Sequence, residues 1–313
     1  GDSRSQIIPV IEKNSGRTCG SDFGFCYSPE FIALGSVLRD LVSPDYFLIG
    51  QFDARAGDAL VEVNRRVSEA TPVFRRLTIE EAELAKIATN AYVTMKISYA
   101  NMLGQICDHV PNAHIDNVTS AIGMDSRIGR KYLSGGLSFG GPCFPRDNIA
   151  LSKFAENLGL DAIIPPAVDK LNVEHSAYVA KRVAQLTSSD AKVGIVGLSY
   201  KPGSHVLQES ASLEIFRVLR KRGHDVRAFD PLQLEFEPNT LPAEVSLVEN
   251  LQALASFADV LVLTHNDRAL CALAVAAAGA KGRRIHVIDC WRILSDQVPP
   301  TVSVVQLGTT RAV

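Results

Sequence analysis

The chain has 313 residues and a mass of 33.8 kDa, which suits two or three domains at about 150 residues each. Its 32 Lys and Arg against 34 Asp and Glu leave neither a basic footprint for nucleic acid nor a polybasic patch for a membrane. The longest apolar run, Ala269 to Ala280, falls short of the about 20 residues that a spanning helix needs. The opening Gly1-Asp2-Ser3-Arg4-Ser5-Gln6 lacks the charged-then-apolar pattern of a signal peptide. Six scattered cysteines form no C-x-x-C pair, and seven histidines form no H-E-x-x-H. A disulfide framework and a metal site are therefore not expected, and free thiols fit a cytoplasmic location.

In chain order, Gln6 to Glu12 reads as helical, Asp22 to Tyr27 and Tyr46 to Ile49 as strands, and Ala54 to Ala70 as a helix. Thr71-Pro72-Val73-Phe74 reads as a further strand, so residues 1–77 alternate as a parallel α/β sheet does. No G-x-G-x-x-G turn occurs in this segment, which reads as the second half of a dinucleotide-binding domain. Thr78-Ile79-Glu80-Glu81 has the form of a capping box. It opens a helix of about 30 residues, because Leu84, Ile87, Ala88, Ala91, Met95, Tyr99, Met102 and Ile106 recur at three- and four-residue steps. Helical patterns return over Pro145 to Leu158 and Pro166 to Leu186. A joint is expected near Ser188-Ser189-Asp190.

Beyond it, strands Val193–Gly197, Asp225–Phe229, Asp259–Leu263 and Ile285–Asp289, with a helix Ser212–Arg222, predict a doubly wound α/β domain. The whole chain divides into 1–77, 78–188 and 189–313: the remainder of a Rossmann-like domain, a central helical region, and a C-terminal doubly wound domain.

Three stretches hold reactive chemistry. In Ser134-Gly135-Gly136-Leu137-Ser138-Phe139-Gly140-Gly141-Pro142-Cys143-Phe144-Pro145-Arg146-Asp147, four glycines let backbone amides come close to a ligand. Pro145 suits a first helical turn, which places Cys143 at a helix N-terminus, where the dipole favours thiolate. Asp147 in that turn can take a proton or orient water. The alternative is a buried cysteine after a glycine-rich turn. Lys86 and Asn90, at i and i+4, share one helix face and can present a cation and an amide to an oxyanion; the alternative is a solvated polar face. Gly197-Leu198-Ser199-Tyr200-Lys201-Pro202-Gly203 ends a strand where doubly wound sheets bind ligands, and Lys201 suits a phosphate. Its alternative is a plain surface loop.

These stretches, in this order, resemble the UDP-glucose/GDP-mannose dehydrogenase family over nearly the whole chain. Tyr27-Ser28-Pro29-Glu30-Phe31 resembles its S/N-P-E-F/R segment, and Asp45 to Gly50 the strand after it. Glu83 to Asn90 is similar to E-L-x-K-x-x-x-N, and Phe139 to Asp147 to F-G-G-S-C-F-P-K-D. Gly197 to Gly203 is similar to G-L-x-F-K-x-G/D, and Phe229-Asp230-Pro231 to Y-D-P.

The resemblance implies NAD-dependent, four-electron oxidation of a nucleotide-sugar C6 alcohol, on a UDP- or GDP-sugar, through a Cys143 thiohemiacetal and thioester. It assigns oxyanion stabilisation to Lys86 and Asn90, water activation to Asp147, and hydrolysis or positioning to Glu30. Substrate binding falls to Arg127, Tyr132, Phe139, Gly140, Gly141, Tyr200 and Lys201, with Arg127 reaching into a neighbouring subunit. Contact with NAD falls to Glu30, Cys143 and Gln208, and a homodimer is expected through the central helix. Taken alone, Arg127 reads as a surface cation and Glu30 as a helix-start carboxylate.

The sequence departs from the family where His205, Val206 and Gln208 stand in D-D-x-R-E-S, and where Leu34 takes the second Glu of P-E-F-x-x-E-G. Pro142 and Arg146 replace Ser and Lys around Cys143. Without the first half of the Rossmann domain, the chain as given is expected to be inactive. Two other readings stay open: a catalytically inactive, dimerising nucleotide-sugar-binding fragment, and a cysteine-dependent acyl transferase or hydrolase.

Overall fold

A computed structural model describes residues 2–32, 35–69, 71–186, 188–294 and 298–310. Leu34, and Ala70 at the expected end of a helix, lie outside the described residues. The chain folds as two compact units, Gly1–Asn90 and Ala91–Val313.

The first unit opens with one π-helical turn, Ser3–Ile7, leading into α1 (Ile8–Ser15). Next come β1 (Cys26–Tyr27), α2 (Val37–Val42), β2 (Phe47–Gln51), α3 (Ala54–Val67) and β3 (Phe74–Thr78). The sheet order is β1-β2-β3. β2 and β3 run parallel, whereas β1 lies antiparallel to β2, so the expected all-parallel segment is corrected at its edge.

Two strand expectations are also corrected. The strand begins at Cys26 rather than Asp22: Phe23 makes only an isolated bridge to Cys19, while Asp22 sits in a turn, its N–H donating to Thr18 C=O at 2.9 Å and its Oδ2 accepting from Thr18 N–H at 2.8 Å. Such local bonds compete with a ladder. Pairing of the last strand begins at Phe74 opposite Phe47, not at Thr71, because Pro72 has no N–H to give. Helix α3 closes at Val67, three residues before the expected end.

Helix α4 (Ile79–Cys107) leads from the first unit into the second. Its capping box forms as predicted: Thr78 N–H donates to Glu81 Oε2 at 2.9 Å, and Glu81 N–H to Thr78 Oγ1 at 3.3 Å. Three more helices follow: α5 (Ile115–Gly123), α6 (Phe144–Asn157) and α7 (Ile164–Leu186). The doubly wound part holds β4 (Lys192–Val196), α8 (Ala211–Lys221), β5 (Asp225–Phe229), α9 (Leu251–Phe257), β6 (Val260–Leu263), α10 (Arg268–Gly279), β7 (Ile285–Asp289) and β8 (Val302–Gln306).

These five strands are all parallel, in the order β5-β4-β6-β7-β8. Parallel sheets are covered on both faces, and the alternation of side chains sorts the core accordingly. Val193, Ile195, Val260 and Val262 meet Val179, Val183, Phe216 and Leu219 of α7 and α8. Val196, Leu261, Leu263 and Val287 meet Leu254, Ala255, Ala274 and Ala278 of α9 and α10. The strand order reverses at β4, so the loop after β4 occupies the switch point where such sheets bind ligands. Among the described residues no helix is long and apolar enough to cross a membrane.

Candidate active site

In the second unit, the glycine-rich stretch descends to α6, with Cys143 as its N-cap and Pro145 in its first turn. Cys143 is exposed, whereas Cys19, Cys107, Cys271 and Cys290 are buried and Cys26 is half-buried. This removes the alternative of a buried Cys143. Burial pushes the Cys271 thiol up to about 12 and the Cys290 thiol well above the usual range. Asp147 is buried, and its Oδ1 accepts from Arg146 Nε at 3.2 Å.

The Cys143 loop docks on the loop after β4. Gly141 N–H donates to Gln208 C=O at 3.1 Å. A Cβ built on Gly140 would fall 2.0 Å from the Glu209 carbonyl oxygen. The Tyr200 ring edge lies against Gly141, and Lys201 Nζ stands 5.6 Å from the centre of that ring. Burial, then the nearby Cys143, pushes the Tyr200 phenol up. The structure therefore brings Phe139, Gly140, Gly141, Cys143, Tyr200 and Gln208 into one neighbourhood. Beside them opens a cleft of about 780 Å³, lined among others by Phe139, Pro142, Asn172, Gln208, Glu209 and Arg217.

Buried Asp230 holds the β4 loop from below: its Oδ2 accepts from the N–H groups of Leu198 and Ser199 at 2.7 and 3.0 Å. His265 Nε2 lies 3.1 Å from Ser199 Oγ. Arg127 and Tyr132 lie apart from this cluster in contact terms. Arg127 is exposed and pairs with Asp125 at 2.5 Å, and Tyr132 is exposed at a positive φ of 62°.

The first unit joins two other motifs. The Lys86 ammonium donates to the Glu30 carbonyl and sits 4.2 Å from the centre of the Phe31 ring. The helix thus grips the Pro29-Glu30-Phe31 segment by its backbone and aromatic ring, and the Glu30 side chain is left exposed. Asn90, one turn on, is buried.

Sequence reasoning missed the side chains that hold the glycine-rich stretch: Asn101, Asn172, His175 and Arg292. No local pattern singled them out: Asn101 lies on a face of α4 that also buries Thr94 and Ser98, and His175 is buried beside Ser176. Among the described residues no group of three His, Cys, Asp or Glu is placed to hold a metal. No dinucleotide turn appears in them either. β2 enters α3 through Phe52 and Asp53, and the Asp53 carboxylate accepts from Ala56 N–H where a phosphate would need free amides.

Residues 80–174 match the central domain of the UDP-glucose/GDP-mannose dehydrogenase family, and residues 194–296 its UDP binding domain. The chain belongs to this family. The family's UDP-glucose 6-dehydrogenase from Rickettsia felis is 31% identical over 237 residues, covering 75% of this chain and 52% of its own length. The GDP-mannose 6-dehydrogenase of Pseudomonas aeruginosa is 31% identical over 291 residues, covering 85% of this chain and 63% of its own. Among solved structures, a UDP-glucose dehydrogenase from Pyrobaculum islandicum aligns with a TM-score of 0.84 at 29% identity. That alignment covers 99% of this chain and 68% of the other. The chain thus spans little more than half the length of the curated relatives it matches.

Proposed function

We propose that this chain is the substrate-oxidising and nucleotide-sugar-binding part of an NAD-dependent dehydrogenase, acting on the C6 alcohol of a UDP- or GDP-sugar. One observation carries the reading: an exposed thiol at the N-terminus of α6, on a loop seated against Tyr200 and Gln208 at the switch point of a parallel sheet. NAD, when bound, would supply the acceptor for the two hydrides that a four-electron oxidation releases, although the described residues show no pyrophosphate cradle.

The steps assigned to this chain are its own. Cys143 Sγ adds to the C6 aldehyde carbon and forms a C–S bond. The oxyanion is met by Lys86 and Asn90. After oxidation to the thioester, a water oriented by Asp147 and Glu30 breaks the C–S bond, which releases the carboxylate and returns the thiol. Arg127, Tyr132, Phe139, Gly140, Gly141, Tyr200 and Lys201 hold the sugar nucleotide. Gln208, Glu30 and Cys143 would contact NAD. The division into residues 1–77, 78–188 and 189–313 follows these roles.

Tyr92, Tyr99 and Ile106 recur at seven-residue steps on α4 and are all exposed, an apolar stripe that fits a homodimer through the central helix. Soluble, cytoplasmic action accords with the free thiols.

The test is Cys143→Ser in an enzyme containing this chain. Carboxylate formation from UDP-glucose or GDP-mannose should be lost; undiminished production would overturn the covalent route.

A further inference from the structure

The segment Gly135 to Phe139 is almost entirely buried yet belongs to no helix or strand. Its backbone groups therefore need partners from elsewhere, since a buried unpaired N–H or C=O is costly. Two asparagines on different helices supply them in the same way. On α4, Asn101 Oδ1 accepts from Gly136 N–H at 2.8 Å while its Nδ2 donates to Leu137 C=O at 3.0 Å. On α7, Asn172 Oδ1 accepts from Phe139 N–H at 2.8 Å while its Nδ2 donates to Phe139 C=O at 2.9 Å. A side-chain amide has one acceptor and one donor side, like a peptide group, so each asparagine stands in for a neighbouring strand.

Between the two clamps, His175 locks the Gly136 carbonyl. Its Nε2–H must donate to that oxygen, at 2.7 Å, because a carbonyl only accepts. Its Nδ1 then accepts from Gln105 Nε2 at 2.8 Å. Arg292 Nη2 donates to Gly135 C=O at 2.6 Å.

We propose that Asn101 and Asn172 are positioning residues for Cys143: by fixing the backbone from Gly136 to Phe139, they set where the thiol stands at the start of α6. The four residues from Gly140 to Cys143 leave little slack between the Asn172 clamp and the thiol. The proposal rests on the reading of Cys143 as the reacting group, but it is tested on the geometry of the thiol, not on turnover.

Asn172→Ala removes both bonds at Phe139 from a half-buried helix position, where alanine is well tolerated. In the folded chain, hydrogen exchange at the Phe139 amide should quicken by about tenfold or more, while amides of β4 to β7 keep their protection. Carboxymethylation of Cys143, followed by peptide mass spectrometry, should slow by about threefold or more as the thiol leaves the helix N-terminus. Asn101→Ala should do the same through Gly136. If Asn101→Ala unfolds, its β4 to β7 amides lose protection and Asn172→Ala alone decides the matter. A folded Asn172→Ala chain whose Cys143 reacts at the native rate overturns the proposal. Failure of the catalytic reading would show separately, as a Cys143→Ser enzyme that still forms carboxylate.

Discussion

Tyr200 lies so close to Gly141 that a Cβ there would fall 2.7 Å from Tyr200 Cε2, and Gly141 itself sits at a φ of +83°. The neighbouring Gly140 is tighter still, because its obstacle is the Glu209 main chain rather than a ring that can turn. Both glycines seat the Cys143 loop on the loop after β4.

Gly140→Ala is accordingly expected to destabilise the chain by about 1–3 kcal/mol, as overpacking does. Gly141→Ala should cost about 1–2 kcal/mol through backbone strain, with part of the clash relieved by rotation of Tyr200. Urea midpoints measure both, and Gly140→Ala should show the lower one.

Arg292 is the most heavily bonded cation near the site. Its Nε and Nη2 donate to Asp116 at 3.0 and 3.1 Å, and its Nη1 to Leu307 C=O at 2.9 Å, beside the bond to Gly135. The guanidinium side chain is only 4% exposed. Arg292→Ala leaves these acceptors without a partner and should cost about 3 kcal/mol, the low end for a broken buried pair because Asp116 keeps some access to water. Arg292→Lys should recover only part of this, since an ammonium cannot serve the same fork of acceptors. Equilibrium urea unfolding distinguishes the three chains.

Buried histidines predict a pH dependence. Desolvation lowers the pKa of both His175 and His265 in the folded chain, against weaker raising effects from Gly136 and Asp108, and from Asp230, Ser199 and Asp267. The unfolded chain then binds more protons than the folded one once pH drops below about 6.5, the ordinary histidine value. Stability therefore falls with falling pH in that window, by at most about 1.4 kcal/mol per pH unit for each histidine. Unfolding midpoints between pH 7.5 and 5.5, a span of about 2 units around that value, should fall with acidity. His175→Gln should flatten the slope, and an unchanged slope would count against a neutral His175.

Thiol accessibility gives a direct chemical check. Cys143 is exposed and the other five cysteines are buried or half-buried; those at positions 19, 26, 107, 271 and 290 are pushed up, chiefly by burial. Native protein should show one fast thiol toward an aromatic disulfide reagent, and Cys143→Ser should abolish that phase. Two fast thiols would mean that Cys26 opens readily.

Periodicity, the Thr78 to Glu81 capping box and the continuous apolar strands made α4 and four strands of the doubly wound domain legible from the chain alone, because these signals depend on neighbours within a few residues. The motifs Pro29-Glu30-Phe31, Lys86 to Asn90 and Phe139 to Asp147 likewise named the family. Short elements such as α2, α5 and β8 escaped: α2 buries no side chain, and β8 is an edge strand that is largely only half-buried. Only the tertiary structure could show that Lys86 grips the Glu30 backbone, that Asp230 supports Leu198 and Ser199, or that Asn101 and Asn172 supply the pairing a buried loop lacks. Hydrogen-bond partnership across tens of residues leaves no trace in local composition, so Asn101 and Asn172 read as ordinary polar residues until the fold closed around them.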